Sequence, residues 1–203
     1  MARTGRPREF DRQKAIEAAM TLFWEQGYEP TSLAQLKDRM GGISPASFYA
    51  AFGSKEALFR EAVARYLETH GTATAALHDP SLSPRQAVEG ALRRSARMQT
   101  ALSHPSGCLI VLGASNCSPE NRHVEQVLAD ERARNRQAIA GHLARAVAIG
   151  DLPPTADTAT LAAVFNTFLL GLSLQARDGM TAESLDAAVT GLMRLWDDAA
   201  RGA

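Results

Sequence analysis

Apolar residues recur every three to four positions along almost the whole chain, which is the spacing of amphipathic helices. The first such segment places Ile16, Ala19, Met20 and Phe23 on one face, and Gly27 marks its end. No long stretch alternates β-branched and polar residues, so no strand is predicted. The short segment 108–113 (CLIVLG) is ambiguous. The pattern therefore predicts an all-α protein.

Residues 31–65 predict two short helices separated by a glycine turn, followed by the start of a longer helix. Ser32 can cap the first helix, and Gln35 completes a capping box three residues later. Gly41 and Gly42 end that helix, because glycine adopts the left-handed conformation without a Cβ clash. Helix-turn-helix proteins use this arrangement to place a helix in the major groove of DNA. An ordinary helical hairpin is the alternative that the pattern leaves open.

Later helix starts follow from the same kinds of residue. Ser44 caps the second short helix, with Pro45 at its first position, where a missing N–H costs nothing. Ser54 caps the helix that begins at Lys55, which is predicted to continue to about Leu77. Four more starts are predicted from capping or proline positions, at Pro84, Pro119, Asp157 and Thr181.

Composition fits a globular protein and only partly fits a nucleic-acid binder. Apolar residues make up 45% of the 203 residues, enough for a core, and the formal net charge is zero. Residues 1–66 hold 10 Lys and Arg against 8 Asp and Glu, which leaves 12 against 14 in the remainder. Arg3, Arg6 and Arg8 form a basic N-terminal arm. Such an arm can reach a phosphate or a minor groove, or it can be a solubilising terminus.

Location and redox chemistry are predicted from what the sequence lacks. The N-terminus has no apolar region typical of a secretion signal. The apolar segment 161–174 is interrupted by polar residues and is predicted to be too short to cross a bilayer. Two cysteines, Cys108 and Cys117, do not make a disulfide framework. We therefore predict a cytoplasmic protein that does not contact a membrane.

Several short sequences, in their spacing, resemble the tetracycline-repressor (TetR) family. They are residues 5–7 (GRP), 18–23 (AAMTLF), 27–28 (GY), 31–33 (TSL), 43–49 (ISPASFY) and 52–59 (FGSKEALF). The resemblance covers about residues 5–66. It implies a DNA-binding domain at 1–54, an effector-binding and dimerisation domain at 55–203, and a homodimer. The implied partners are double-stranded DNA and a small-molecule effector. No enzymatic activity is predicted, because the sequence lacks a Gly-rich phosphate loop, a Gly-x-Ser-x-Gly elbow and a His-Glu-x-x-His motif, and no cofactor or metal is predicted.

The resemblance also implies a recognition helix at 44–52 and particular DNA contacts. The implied DNA-binding residues are Arg6, Ser32, Ser44, Pro45, Ala46, Ser47, Tyr49, Ala50 and Lys55. Capping is a second role open to Ser32 and Ser44, whereas Phe48 and Phe52 are assigned to the core. This helix is poor in hydrogen-bond donors, because alanine offers only a methyl group to a thymine methyl. We therefore expect phosphate contacts and DNA shape to contribute to specificity.

In the C-terminal part, the resemblance is limited to the helical layout. Helices that usually surround an effector contain the predicted ligand-binding residues Met98, Leu102, Leu112, Asn116, Phe165, Asn166 and Leu169. In a homodimer, the two DNA-binding domains must contact half-sites about 34–36 Å apart, and a dimer interface has to hold them at that distance. The last two helices are predicted to form this interface by packing with their copies as four helices. The predicted dimer-interface residues are Phe168, Leu172, Leu185, Leu192 and Leu195. Packing inside one chain is the alternative for both sets.

The function predicted from these features is a ligand-responsive repressor. It would bind a palindromic operator as a homodimer and be released by a small molecule. The alternative is a helical homodimeric module that binds a ligand, a metal or an oxidant and has little or no affinity for DNA. His104, Cys108, Cys117 and His123 suggest this alternative, although their spacing matches no closed zinc motif. The charged segment 130–136 is interpreted as a solvated face.

Overall fold

The computed structural model describes residues 10–202, and every regular element among them is helical. The N-terminal part contains α1 (Arg12–Gln26), α2 (Leu33–Arg39), α3 (Pro45–Phe52) and α4 (Lys55–Thr69). A 3₁₀ segment (Gly71–His78) leads to α5 (Pro84–Gln99) and the short α6 (Leu109–Leu112). The last helices are α7 (Arg122–Ala148), α8 (Thr158–Arg177) and α9 (Ala182–Ala200). The predicted all-α class is confirmed.

Side-chain caps set the N-terminal ends of the first four helices, as predicted for Ser32, Ser44 and Ser54. A side-chain oxygen accepts a hydrogen bond from the backbone N–H three residues later, at 3.0 to 3.2 Å, in Asp11, Ser32, Ser44 and Ser54. Ser32 and Gln35 form the complete capping box. Gly41 and Gly42 have φ of 90° and 77°, so the left-handed conformation ends α2 as predicted.

Helix α4 is shorter than its apolar pattern predicts. It ends at Thr69 rather than near Leu77, and a 3₁₀ segment follows. The hydroxyl of Thr72 donates to the carbonyl oxygen of Thr69 at 2.8 Å, and that of Thr74 donates to the carbonyl oxygen of Gly71 at 3.2 Å. Such local bonds compete with helical geometry, and glycine weakens a helix further. These residues therefore tighten the chain into the 3₁₀ form.

Two other segments can now be compared with the sequence-based expectation. The ambiguous segment 108–113 contains the four-residue helix α6 and no strand. The helix predicted from Pro119 begins as a 3₁₀ turn, Pro119–Asn121, before α7 continues to Ala148.

The described residues form two hydrophobic cores. The first joins α1 to α4, and it also includes Leu109 of α6 with Val124 and Leu128 of α7. The second joins α5, α7, α8 and α9 around Phe165 and Trp196. Because α6 and α7 contribute to the first core, a displacement of either one acts directly on the N-terminal helices.

Helix α8 is longer than the predicted apolar segment. With 20 residues, it is long and apolar enough by composition to cross a membrane, contrary to the prediction. It packs against α5, α7 and α9, and about two fifths of its most apolar stretch is buried. A core helix can be equally long and apolar, and the contacts with these helices account for the apolar residues on the inward side of α8.

Candidate DNA interface and effector cavity

Helix α3 turns one side into the first core and the other side outward. Phe48 and Phe52 are 0% and 5% exposed, as predicted for core residues, whereas Tyr49 is 51% exposed. The remaining exposed positions on and before this helix are Ser44, Pro45, Ala46, Ser47 and Ala50. The structure thus presents the predicted recognition residues together on one accessible face.

The chemistry of this face is sparse. The Oγ atoms of Ser44 and Ser47 are 2.9 Å apart, and the Ser44 oxygen also accepts the hydrogen bond from the Ser47 backbone N–H. Ala46 and Ala50 contribute methyl groups only. The phenol of Tyr49 is therefore the most extended polar group that α3 offers to a large ligand. This face therefore offers few groups for hydrogen bonds to base edges.

Lys55 and Ser32 flank α3, and both are already engaged. Lys55 Nζ lies 4.2 Å from the centre of the Tyr28 ring and 3.5 Å from the carbonyl oxygen of Glu29. Burial lowers the pKa of Lys55, although the Glu29 carboxylate opposes that shift. The Ser32 hydroxyl donates to Gln35 Oε1 at 2.8 Å within its capping box. Arg6, the other predicted cation, lies outside the described residues.

A carboxylate after α1 joins the N-terminal helices to the start of α7. Asn121 Nδ2 donates to the two carboxylate oxygens of Glu29 at 2.9 and 3.2 Å, and the Ser118 N–H donates to one of them at 3.3 Å. The Asn121 bond is the largest cause of the lowered pKa of Glu29. Glu56 in α4 lies 3.0 Å from His123 Nε2 in α7. The first turn of α7 is thus tied to both ends of the helix-turn-helix segment.

Two further contacts join the C-terminal helices to α1. The Tyr28 N–H donates to the Gly113 carbonyl oxygen at 2.6 Å. Arg177, at the end of α8, donates to the carbonyl oxygen of Trp24 at 2.9 Å. Movement of α6 or α8 would therefore displace the end of α1.

A cavity of about 360 Å³ lies between α4, the 3₁₀ segment and helices α5 to α8. Its wall is mostly apolar and includes Met98 and Leu169, two of the predicted ligand-binding residues. Gln99 adds a polar group, and the hydroxyl of buried Ser173 holds its Oε1 at 2.8 Å. A mostly apolar cavity with a few polar groups is typical of small-molecule sites.

Five of the seven predicted ligand-binding residues do not line this cavity. Leu102 is fully exposed, Asn116 is exposed in a loop, and Leu112 is half-buried outside the cavity. Phe165 belongs to the second core, and Asn166 is buried with its Oδ1 unpartnered within residues 10–202. The predictions for these five residues rested on which helix each residue belongs to. Only the tertiary packing decides which side of that helix faces a cavity.

Sequence reasoning missed several residues that do line the cavity, among them Tyr66, His70, Cys108 and Arg132. Glu131 and Arg132 were assigned to a solvated face, and that interpretation was wrong for both. A signal was present, because Leu128, Arg132 and Ile139 are spaced for one side of α7, and the two apolar members are buried.

The cysteine and histidine cluster does not form a metal site. Within residues 10–202, no three His, Cys, Asp or Glu side chains are grouped to hold a metal, and both cysteines are free. Tyr66 donates to Cys108 Sγ at 3.2 Å, and burial raises the pKa of the thiols of Cys108 and Cys117. His104 stacks on Trp24, with ring centres 4.6 Å apart. This geometry does not favour the metal or redox alternative.

The predicted dimer residues divide into two groups. Leu172 and Leu185 are each 2% exposed and belong to the second core, so they are not available at the surface of one protomer. Phe168 and Leu192 are partly buried and line a shallow groove, while Leu195 is 42% exposed. An interface on α8 and α9 would therefore use the outer residues.

A capped α2, a glycine turn and an exposed α3 define the class of helix-turn-helix DNA-binding regulators, here joined to a helical part with a cavity. A family model described as bacterial regulatory proteins of the tetR family matches residues 15–62. A second, described as a tetracyclin repressor-like C-terminal domain, matches residues 85–192. The chain belongs to the tetR family of bacterial regulatory proteins, and it is a transcriptional repressor rather than an enzyme.

Individual relatives agree with this assignment over nearly the whole chain. The HTH-type transcriptional repressor ComR of Escherichia coli (strain K12) is 34% identical over 199 residues, which cover 96% of this chain and 92% of ComR. The repressor BdcR of the same organism is 30% identical over 191 residues, which cover 90% of this chain and 87% of BdcR. A cysteine mutant of the regulator CifR, solved with 26-bp double-strand operator DNA, is 43% identical with a TM-score of 0.85. The matched region covers 95% of this chain and 100% of the CifR chain.

Proposed function

We propose that two copies of this chain bind a palindromic operator and that a small molecule in the cavity releases them. The observation that supports this most directly is the course of α4. Lys55 begins the helix beside α3, and Tyr66, three turns later, lines the cavity. A helix of this length spans about 22 Å. A ligand that displaces the Tyr66 end would move the Lys55 end relative to DNA.

Release requires the ligand to discriminate between two states of the protein. A coupling of about 1–3 kcal/mol changes DNA affinity about 5- to 150-fold. The shared first core and the contacts of Glu29 with the turn before α7 supply stiff connections between the cavity and the N-terminal helices. The proposed division places the DNA-binding domain at 1–54 and the effector-binding and dimerisation domain at 55–203.

Dimerisation through α8 and α9 is part of the proposal. Partly exposed Phe168, Leu192 and Leu195 provide apolar surface on these two helices. One α3 face buries too little surface for selective binding, whereas two can contact successive turns of one side of the duplex. Operator DNA is the partner seen with CifR, and we propose the same class of partner here, with the protein in the cytoplasm.

Gel-shift titration of the purified protein with its own upstream DNA tests the proposal. We expect a shift at low salt that weakens steeply as salt rises, because bound phosphates release counterions. A scrambled duplex of equal length is the control, and it should bind more weakly. A protein that shifts neither duplex at low salt would instead match the alternative of a helical ligand-binding module.

A further inference from the structure

Arg132 of α7 lies in the wall of the cavity, beside its apolar residues. Its Nη1 donates to the carbonyl oxygen of Ile110 at 2.7 Å, which fixes the guanidinium against α6. A guanidinium has five N–H donors, and this bond uses one of them. The group is thus held in place, and hydrogen-bond partners for its other N–H donors are absent among residues 10–202.

The charges around the cavity do not balance. Glu131, Arg132 and Arg134 are the Arg and Glu side chains that line it. Glu131 pairs with Arg134, whereas Arg132 has no ion-pair partner within the part of the chain that the structure describes. Burial first, and then the neighbouring His104, lower the pKa of His70, which disfavours its charged form. One cation, Arg132, is therefore in excess.

We propose that the effector is a small monocarboxylate with an apolar body, and that its carboxylate pairs with Arg132. The inference rests on the proposed function, because it takes this cavity as the effector site. Arg132 is half-buried, and a carboxylate bound beside it would form a charge-assisted hydrogen bond, which is stronger than a neutral one. The planar fork of arginine matches a carboxylate with two parallel hydrogen bonds. Met98 and Leu169 lie where they can pack against the apolar body.

The cavity volume limits the size of the ligand. At about 360 Å³ the cavity is near the lower end of the range for small-molecule sites, roughly 300–1,000 Å³. A single alkyl chain or a single aromatic ring is therefore favoured over a polycyclic body.

Calorimetric titration of the full-length protein with matched acids and amides tests the proposal. The probes are sodium octanoate and sodium 4-phenylbutyrate, each compared with its primary amide. We expect at least one acid to bind about 10-fold or more tightly than its amide, because the neutral amide cannot form the charge-assisted pair with Arg132. The same acid should release the operator duplex in a gel shift.

Protein variants locate the charge. Arg132→Met should weaken binding of the acid about 10- to 100-fold and leave the amide almost unaffected. Arg132→Lys should recover part of the affinity, since it keeps the charge but loses the fork. Arg136→Gln removes the same charge from an exposed position on the same helix, outside the cavity, and should behave as wild type.

The outcomes separate this inference from the proposed function. Equal binding of acid and amide, no binding of either acid, or full affinity in Arg132→Met would each overturn it. The acid–amide comparison uses the unaltered protein, so it stands even if a variant fails to fold. Operator binding without any acid tests the proposed function independently, and it can succeed while the carboxylate inference fails.

Discussion

Replacing Gly107 by alanine would show how closely the segment leading into α6 is held against α8. Gly107 has φ of +85°, and its N–H donates to the carbonyl oxygen of Gln99 at 2.9 Å. An added Cβ would lie 2.7 Å from Leu112 Cδ1 and 2.9 Å from the backbone oxygen of Ser173. The leucine methyl can rotate away, but the carbonyl belongs to α8. The α6 segment or α8 must therefore shift.

The expected loss of stability has two main parts. A left-handed conformation costs alanine about 1–2 kcal/mol, and a forced shift in a packed interior costs about 1–3 kcal/mol. Alanine recovers about 0.4–1 kcal/mol by restricting the unfolded chain. We expect a net loss of about 3 kcal/mol in the free energy of unfolding. For a chain of this length, roughly 2–4 °C per kcal/mol gives a fall in Tm of about 6–12 °C.

Gly141 in α7 provides a matched control, because a Cβ there would meet nothing within 4 Å. Gly141→Ala should stabilise the protein by about 0.5–1 kcal/mol, the usual gain inside a helix. Thermal and urea unfolding followed by circular dichroism measure both variants. All samples need one protein concentration, since the stability of a dimer depends on it.

The reasoning would be refuted if Gly107→Ala unfolded at the wild-type temperature while Gly141→Ala rose as expected. That result would mean that α8 does not approach the start of α6 as closely as the structure has it. The cavity wall near Cys108 would then also be placed differently.

Three further predictions concern the DNA face, the dimer surface and a surface carboxylate. Tyr49→Phe should weaken operator binding about 2- to 10-fold in a gel shift without changing Tm, the usual net effect of one hydroxyl; unchanged affinity would exclude a hydroxyl contact with DNA. Phe168→Asp should give a monomer in size-exclusion chromatography with light scattering, and a dimer that survives would exclude this face as the interface. Hydrogen bonds from Arg60 first, and then from His123, lower the pKa of Glu56. A lowered carboxyl pKa stabilises the folded protein above the unfolded pKa, and this contribution is lost as the pH falls. Glu56→Gln should therefore cost less than about 1 kcal/mol at pH 7 and nothing near pH 3 in urea unfolding, as expected for an exposed pair; an equal cost at both pH values would contradict the mechanism.

The sequence by itself determined the helical class and most of the helix starts. Ser32, Ser44 and Ser54 could be identified because a cap bonds to a backbone N–H only three residues away. Gly41 and Gly42 could be identified because their left-handed backbone is a local requirement. Within α3, the same short-range spacing separates buried Phe48 from exposed Tyr49, whereas a role in DNA binding was implied by the family resemblance alone. Interactions of this range depend little on the rest of the fold.

Only the tertiary structure decided which residues meet across the molecule. Leu172 and Phe168 lie one helical turn apart, yet the first is in the core and the second is partly exposed, because α5, α6, α7 and α9 pack against only part of the α8 surface. Arg132 belongs to a charged stretch, but the packing of α6 and α7 turns its guanidinium to the cavity. Helical periodicity identifies which residues share a face, whereas the partner of that face depends on contacts between residues distant in sequence.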